Sequence, residues 1–472
     1  PRPPPPAPAP GHLPRPPTAE HPVAGLTPPP ARPRASSPVL PAARRTGGGG
    51  PPAPRSDRPG AAAAAGEGPR RPSRDVFVDA VRAVATLSVL TVHWLMADAT
   101  WDGEQLRIGN ALAHGAGWAV TWVLQVLALL FFAAGASAAY GLRRAGGPGG
   151  TAARGRVVTR PSAAADLADG VRLAGARLPR LLWPVAVFVG AWVVAVGVLL
   201  AVGLPADAVR SLATLAPQLL WFLAVYLGLV VLTPLLRRAL HAAGWWAVAG
   251  LAAAPLAVEA LRFGAGLERL ALVNVVLVWA VPYAVGLLYA DARSGLRVVR
   301  RGRVVPVAVV PRPRVLVAVG LAAAALAALL VAVGPYPVSL IGMPGDAMSN
   351  LGPPTAPVVL HAVALVALAL AARGPLVRWA DGRGRSVVRG LARRSMTVYL
   401  WHLTAMVVVV GVVLVVIGQE LPAVGGADWW ASRPVWFGAF ALVLVGIARA
   451  VGRFEDAPTG RRARQRVGSG TE

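Results

Sequence analysis

The sequence predicts an all-α polytopic membrane protein of about ten transmembrane helices with both termini cytoplasmic. Three observations carry this. First, 55% of the 472 residues are hydrophobic, and they fall in long runs. Second, only 14% are charged, against about a quarter in an ordinary soluble domain, and the charges are clumped between the runs. Third, arginine-rich gaps alternate with gaps that are nearly free of arginine.

Residues 1–74 are Pro, Ala, Gly and Arg with almost no large apolar side chain. Such a segment cannot bury enough surface to offset its ordering entropy, so it reads as a disordered cytoplasmic tail. It lacks the apolar core and cleavage site of a signal peptide. Residues 75–453 then form the transmembrane domain, and 454–472 a basic cytoplasmic C-terminal tail. The spans are expected at 76–95, 118–140, 181–202, 215–236, 245–261, 272–289, 315–333, 358–372, 396–417 and 435–451. Each is near the ~20 residues that cross a bilayer.

Orientation comes from arginine. The tail, the 143–180 loop, Arg237-Arg238, the 293–314 loop, the 373–394 loop and the C-terminal segment share one side, which the positive-inside rule makes cytoplasmic. The gaps holding Asp102 and Glu104, Asp207, Glu268, Asp346, and Glu420 with Asp428 share the other. Both termini inside requires an even number of spans.

The net charge is +26, carried by arginine alone, since the chain has no lysine. The arginines sit between hydrophobic spans, so anchoring at a membrane surface explains them better than nucleic acid does. With no Cys there is no disulfide framework, thiolate nucleophile or thiolate metal site, and no metal site is assigned.

The first span holds Asp79, Arg82 and His93 within an apolar run. Ionisable groups at membrane depth are expensive and face polar interiors. At ~100° per residue Arg82 and His93 share one face, ~16 Å apart along the axis. Asp79 lies one turn below Arg82, and a purely structural Asp–Arg pair is the rival reading. In the ninth span Ser395, Tyr399 and His402 share a face. For His402 an interhelical hydrogen bond is favoured over direct catalysis. Arg177 and Arg180 open the third span and either grip phosphate or serve as topology anchors. The 336–357 gap, rich in Pro and Gly, is either a structured loop over an outward site or a turn-rich connector. Asp98, Asp102 and Glu104 could serve a lipid-sugar glycosyltransferase as base or metal ligand, although solvated loop acids explain them as well.

The segment 74–83 (Arg-Asp-Val-Phe-Val-Asp-Ala-Val-Arg-Ala), followed by His93, resembles the first helix of acyltransferase-3 proteins. Their signature is an Arg, ten intervening residues and a His, and Arg82 and His93 match that spacing. Arg177 and Arg180 match the family's Arg-x-x-Arg at the entry to the third helix. The stretch Leu129-Leu130-Phe131-Phe132-Ala133-Ala134-Gly135, Trp221-Phe222-Leu223 and Tyr399-Leu400-Trp401-His402 also look like family landmarks. The resemblance covers roughly residues 74–455. Nothing after the tenth span resembles the esterase-like domain of some members, and the Pro-Arg tail is not a family feature.

The resemblance implies a plasma-membrane O-acyltransferase that holds no bound cofactor. It would move an acyl group, often acetyl, from cytoplasmic acyl-CoA to a hydroxyl of a glycan or glycosylated small molecule. His93 would be catalytic, assisted by Arg82. Arg177 and Arg180 would hold the CoA phosphates, with Asp79, Tyr399 and His402 in support. The rivals are the glycosyltransferase reading and a proton-coupled transporter using His93.

Overall fold

The computed structural model describes residues 75–144, 162–215 and 217–468. The expected tail at 1–74 lies outside these. Among the described residues nine helices are long and apolar enough to cross a membrane, or ten if a bent pair is counted as one span.

Helix α1 spans Val76–Leu95. Its N-cap is Asp75, which accepts from the Phe77 N–H at 3.0 Å and from the Tyr140 hydroxyl at 2.6 Å. The second expected span divides into α2 (Trp118–Leu124) and α3 (Leu127–Arg144). The break falls at Gln125, whose carbonyl accepts from His361 Nε2 at 3.0 Å and whose side chain receives the Leu127 N–H at 3.3 Å. Both satisfy groups that a continuous helix would have paired itself.

The third span departs furthest from expectation. Helix α4 runs Ala163–Ala201, so the supposed 143–180 loop is helical from Ala163 onward. Asp166, Arg172, Arg177 and Arg180 lower the hydropathy of this half, yet its Ala, Leu and Arg residues are good helix formers. Pro179 and Pro184 lie inside the helix. Gly170 lets it press against the next long helix: a Cβ there would sit 1.7 Å from the Val231 carbonyl oxygen.

The chain continues through α5 (Ala206–Leu215), α6 (Leu220–Ala243), α7 (Trp245–Ala265), α8 (Asn274–Arg293) and α9 (Pro313–Val333). Helix α10 (Ala356–Ala371) is short and bends by 64° into α11 (Arg373–Asp381). Pro375 disfavours helical backbone in the residue before it, which suits a bend at this point. An amphipathic segment, α12 (Arg385–Arg393), leads into α13 (Ser395–Gly411), which ends in a π-helical turn, Val412–Ile417. Helix α14 (Ala427–Gly468) passes the expected domain boundary at 453 without a break. Just beyond that boundary Glu455 caps α13, accepting from the Met396 and Thr397 N–H groups at 3.2 Å each.

Two hairpins interrupt the helices. Strands β1 (Ala99–Trp101) and β2 (Leu106–Ile108) pair after α1, and β3 (Arg297–Arg300) pairs with β4 (Arg303–Pro306) after α8.

The core is built on α3 crossing α8. A Cβ at Gly135 would lie 2.0 Å from the Tyr283 carbonyl oxygen, and one at Gly286 would lie 2.0 Å from that of Phe132. The two glycines therefore bring the backbones into contact. Phe131 stacks on Trp279 with centroids 5.1 Å apart, and Phe77 of α1 packs on both Phe132 and Tyr289.

The gaps sort onto two ends as the arginine pattern requires. At the arginine-rich end Arg300 donates to the His241 carbonyl at 2.8 Å, and Arg238 pairs with Asp166 at 3.2 Å. Arg394 meets Asp456 there at 2.6 Å. At the arginine-poor end Trp122 donates to the Val338 carbonyl at 2.8 Å. Thr121 receives the Leu340 N–H at 3.1 Å, and the Asn110 amide contacts the Met343 sulfur at 3.2 Å. Several arginines of this second end are matched by acids: Arg107 with Asp102, Arg210 with Asp207 and Arg262 with Glu268.

Candidate active site

His93 stands near the arginine-poor end of α1, two residues from the helix terminus. Its Nδ1 lies 2.9 Å from Nε2 of His402 on α13, with ring centroids 4.9 Å apart. His402 is fully buried, and its Nδ1 is 2.7 Å from the Tyr399 carbonyl oxygen. A carbonyl can only accept, so His402 Nδ1 carries a hydrogen. In the neutral ring Nε2 then has none, and the hydrogen shared with His93 must belong to His93 Nδ1. The neutral His93 is thereby left with its lone pair on Nε2. The Trp94 indole donates to the His402 carbonyl at 3.2 Å and ties the two helices together one residue further along. The expectation of an interhelical hydrogen bond for His402 is met, and its partner is His93 itself.

Arg82 lies three turns below His93. It donates to Ser137 Oγ at 2.6 Å and pairs with Asp79 at 3.5 Å. Ser137 in turn donates to the Ala133 carbonyl, so α3 holds the guanidinium in place. The Asp79–Arg82 pair read from the sequence is therefore present, but Arg82 also spans to a second helix.

Arg177 is half-buried on α4. Its Nη1 donates to the Leu173 carbonyl at 3.4 Å, and its Nη2 reaches the side of α3 at Gly141. Arg180 is exposed. The two sit on one helix but in different surroundings, one turned into the protein and one outward. The Tyr399 hydroxyl donates to the Leu219 carbonyl at the start of α6.

A cavity of about 1260 Å³ opens beside His93. It is bounded by α1 (Val89, Val92), α4 (Trp192, Val198), α5 (Leu212), α6 (Trp221, Phe222), Tyr399 with Trp401, and the π turn. The 336–357 loop supplies Gly342, Ser349, Leu351, Gly352 and Pro354 to its rim. That loop is structured: Asn350 donates to the Pro337 and Ser339 carbonyls at 2.8 Å each and accepts from Thr355 at 2.8 Å. Of the three loop acids Asp98 lines the cavity, 3.9 Å from His114. Asp102 instead receives the Gln105 and Glu104 N–H groups within its own hairpin turn. Those two N–H groups hold its carboxyl below the usual carboxylate range. Glu104 is exposed in the same turn.

One polar cluster escaped the sequence reading. Asp291 of α8 is 1% exposed and is gripped by Arg237 at 3.0 Å and His241 at 3.0 Å, with Arg143 3.9 Å away. Its partners come from α6 and α3. The available signal was a lone carboxylate at the arginine-rich end of an apolar span, which calls for a cationic partner.

A polytopic helical membrane protein with a histidine pair beside a large intramembrane cavity defines the class. The acyltransferase domain of the acyltransferase-3 family matches residues 75–448, so the chain belongs to that family. It is a membrane acyltransferase that moves acyl groups other than aminoacyl groups. No curated protein and no solved structure matches the chain.

Proposed function

We propose that this protein transfers an acyl group, in the first instance acetyl, from acyl-CoA to a hydroxyl of a glycan or glycosylated small molecule, with His93 as general base. The observation that carries the proposal is the chain His93 Nδ1–His402 Nε2, His402 Nδ1–Tyr399 carbonyl. It orders the protons so that the neutral His93 presents Nε2 as an acceptor, on a residue that borders the cavity.

In the reaction His93 Nε2 takes the proton of the acceptor hydroxyl as its oxygen attacks the thioester carbonyl. The C–S bond breaks, and the sulfur leaves with the proton as the free thiol of CoA. The products are the ester and CoA, with no net proton change. With no Cys in the chain, direct transfer is the simplest route.

In this reading the arginine-rich end is cytoplasmic, as the positive-inside rule directs, and the protein resides in the plasma membrane. CoA docks there with its phosphates on Arg180 and Arg177, outer and inner in turn. The pantetheine arm then passes Arg82 towards His93, which stands ~16 Å further along α1.

The test is turnover of labelled acetyl-CoA by purified His93→Ala and His93→Gln proteins that remain monodisperse. General-base catalysis is worth ~10²–10⁴ in rate, so both should lose transfer by that order. Near-normal turnover in either would remove His93 from the chemistry.

A further inference from the structure

The cavity beside His93 has the wrong lining for a free sugar. At about 1260 Å³ it exceeds the ~300–1,000 Å³ of common small-molecule pockets. Ala195, Leu199, Leu212, Leu403, Val407 and Leu414 are among its walls. Pressing hydroxyl groups against such walls costs free energy for each one left unpaired. A hydrocarbon chain meets no such penalty.

The cavity also reaches the lipid-facing surface. Beside the histidine pair the Trp192 indole donates to Thr404 at 3.1 Å and joins α4 to α13. Beyond that bond both flanks still line the cavity, yet Val198 on α4 is 54% exposed and Val416 in the π turn is 77% exposed. These are apolar side chains on membrane-spanning helices, so the wall merges there with the surface that meets acyl chains. A π turn widens a helix locally and recurs at functional sites. Besides His93, Tyr399 and Thr404, the polar lining includes Asp98, Gln125, Gln218 and Ser349, of which Asp98 and Ser349 are loop residues of the arginine-poor end. The cavity is therefore amphipathic, with an aliphatic side gate and polar groups at one end.

We propose that the acceptor hydroxyl is carried on a membrane lipid, whose hydrocarbon tail enters between α4 and the π turn while its polar head rests among the rim residues near His93. This rests on the acyl-transfer reading above and names the acceptor class. The side opening selects the acceptor rather than a long acyl chain of the donor as occupant. A donor chain follows its thioester from the arginine-rich end and needs no gap in the wall, whereas a membrane-anchored acceptor needs a lateral opening to keep its tail among the lipids.

The experiment uses the full-length protein in phosphatidylcholine–phosphatidylglycerol vesicles with hexadecyl glucoside bearing a diazirine on its alkyl chain. After photolysis, label should concentrate on residues 192–202 and 404–417, and unlabelled hexadecyl glucoside should compete it away. Leu199→Trp and Val412→Trp, which fill the cavity from opposite walls, should each lose this labelling while still binding acetyl-CoA, the latter showing that they are folded. Label spread evenly over all lipid-facing helices would overturn the proposal. So would competition by palmitoyl-CoA but not by hexadecyl glucoside, because the cavity would then belong to the donor. Failure of the unmodified protein to bind acetyl-CoA would instead strike the CoA reading and leave a specific labelling pattern standing.

Discussion

His93 on α1 and His402 on α13 share a 2.9 Å hydrogen bond across 309 positions of sequence. His402 is anchored to the Tyr399 carbonyl, so the bond sets which His93 nitrogen carries the hydrogen, and in the proposed mechanism His402 orients the base. Replacing His402 should therefore act on the chemical step and spare donor binding. His402→Phe keeps much of the ring's volume but offers no acceptor, and its kcat should fall by ~10-fold or more. His402→Gln can place an amide oxygen near the lost Nε2 and should recover part of that loss. A purely structural role predicts no such rescue, and equal activity in the two variants would support it.

Arg177 and Arg180 supply a second expectation. If they hold the CoA phosphates as proposed, replacing both with Gln should weaken acetyl-CoA binding strongly, since each change would remove a charge-assisted contact worth about 1.5–3 kcal/mol. Lys at both positions should restore binding only in part, because an ammonium cannot form the bidentate fork. Isothermal titration in detergent reads this directly. Unchanged affinity in the double Gln variant would leave the two residues as topology anchors.

Asp291 predicts a stability effect without a catalytic one. Removing its carboxylate as Asp291→Ala leaves Arg237, His241 and Arg143 facing one another in a buried setting. Breaking such a buried network typically costs about 3–5 kcal/mol. Thermal unfolding in detergent should show a marked drop. The double variant Asp291→Leu with Arg237→Met, which removes both charges, should regain a good part of it.

The topology is tested with reporter fusions at Asp102 and Gly382. Asp102 lies in the hairpin of the arginine-poor end, and Gly382 follows α11 at the arginine-rich end. A reporter active only in the cytoplasm should signal at Gly382 and stay silent at Asp102. The same signal at both points would contradict the arrangement of the ends.

Much of the fold was legible because the bilayer imposes a length and a composition on each span. The bounds expected for helix α1 match the structure to the residue, since an apolar run of 20 residues states its own extent. The face shared by Arg82 and His93 followed from the helical period alone. Hydropathy alone does not show the extent of α4. Its first half is polar enough to pass for a loop, yet its residues are good helix formers and Gly170 packs it closely on α6.

The sequence by itself determined the number and rough position of the spans, the segregation of arginine to one end, and the candidate histidines. These depend on local composition and on a period of 3.6 residues, both of which act over one or two turns. Only the tertiary structure decided that His402 is the partner of His93, that Asp291 gathers Arg237, Arg143 and His241, and that α4 and the π turn flank the large cavity. Those facts depend on which helix faces meet, and that is set by close approaches such as Gly135 against the α8 backbone, between residues far apart in the chain.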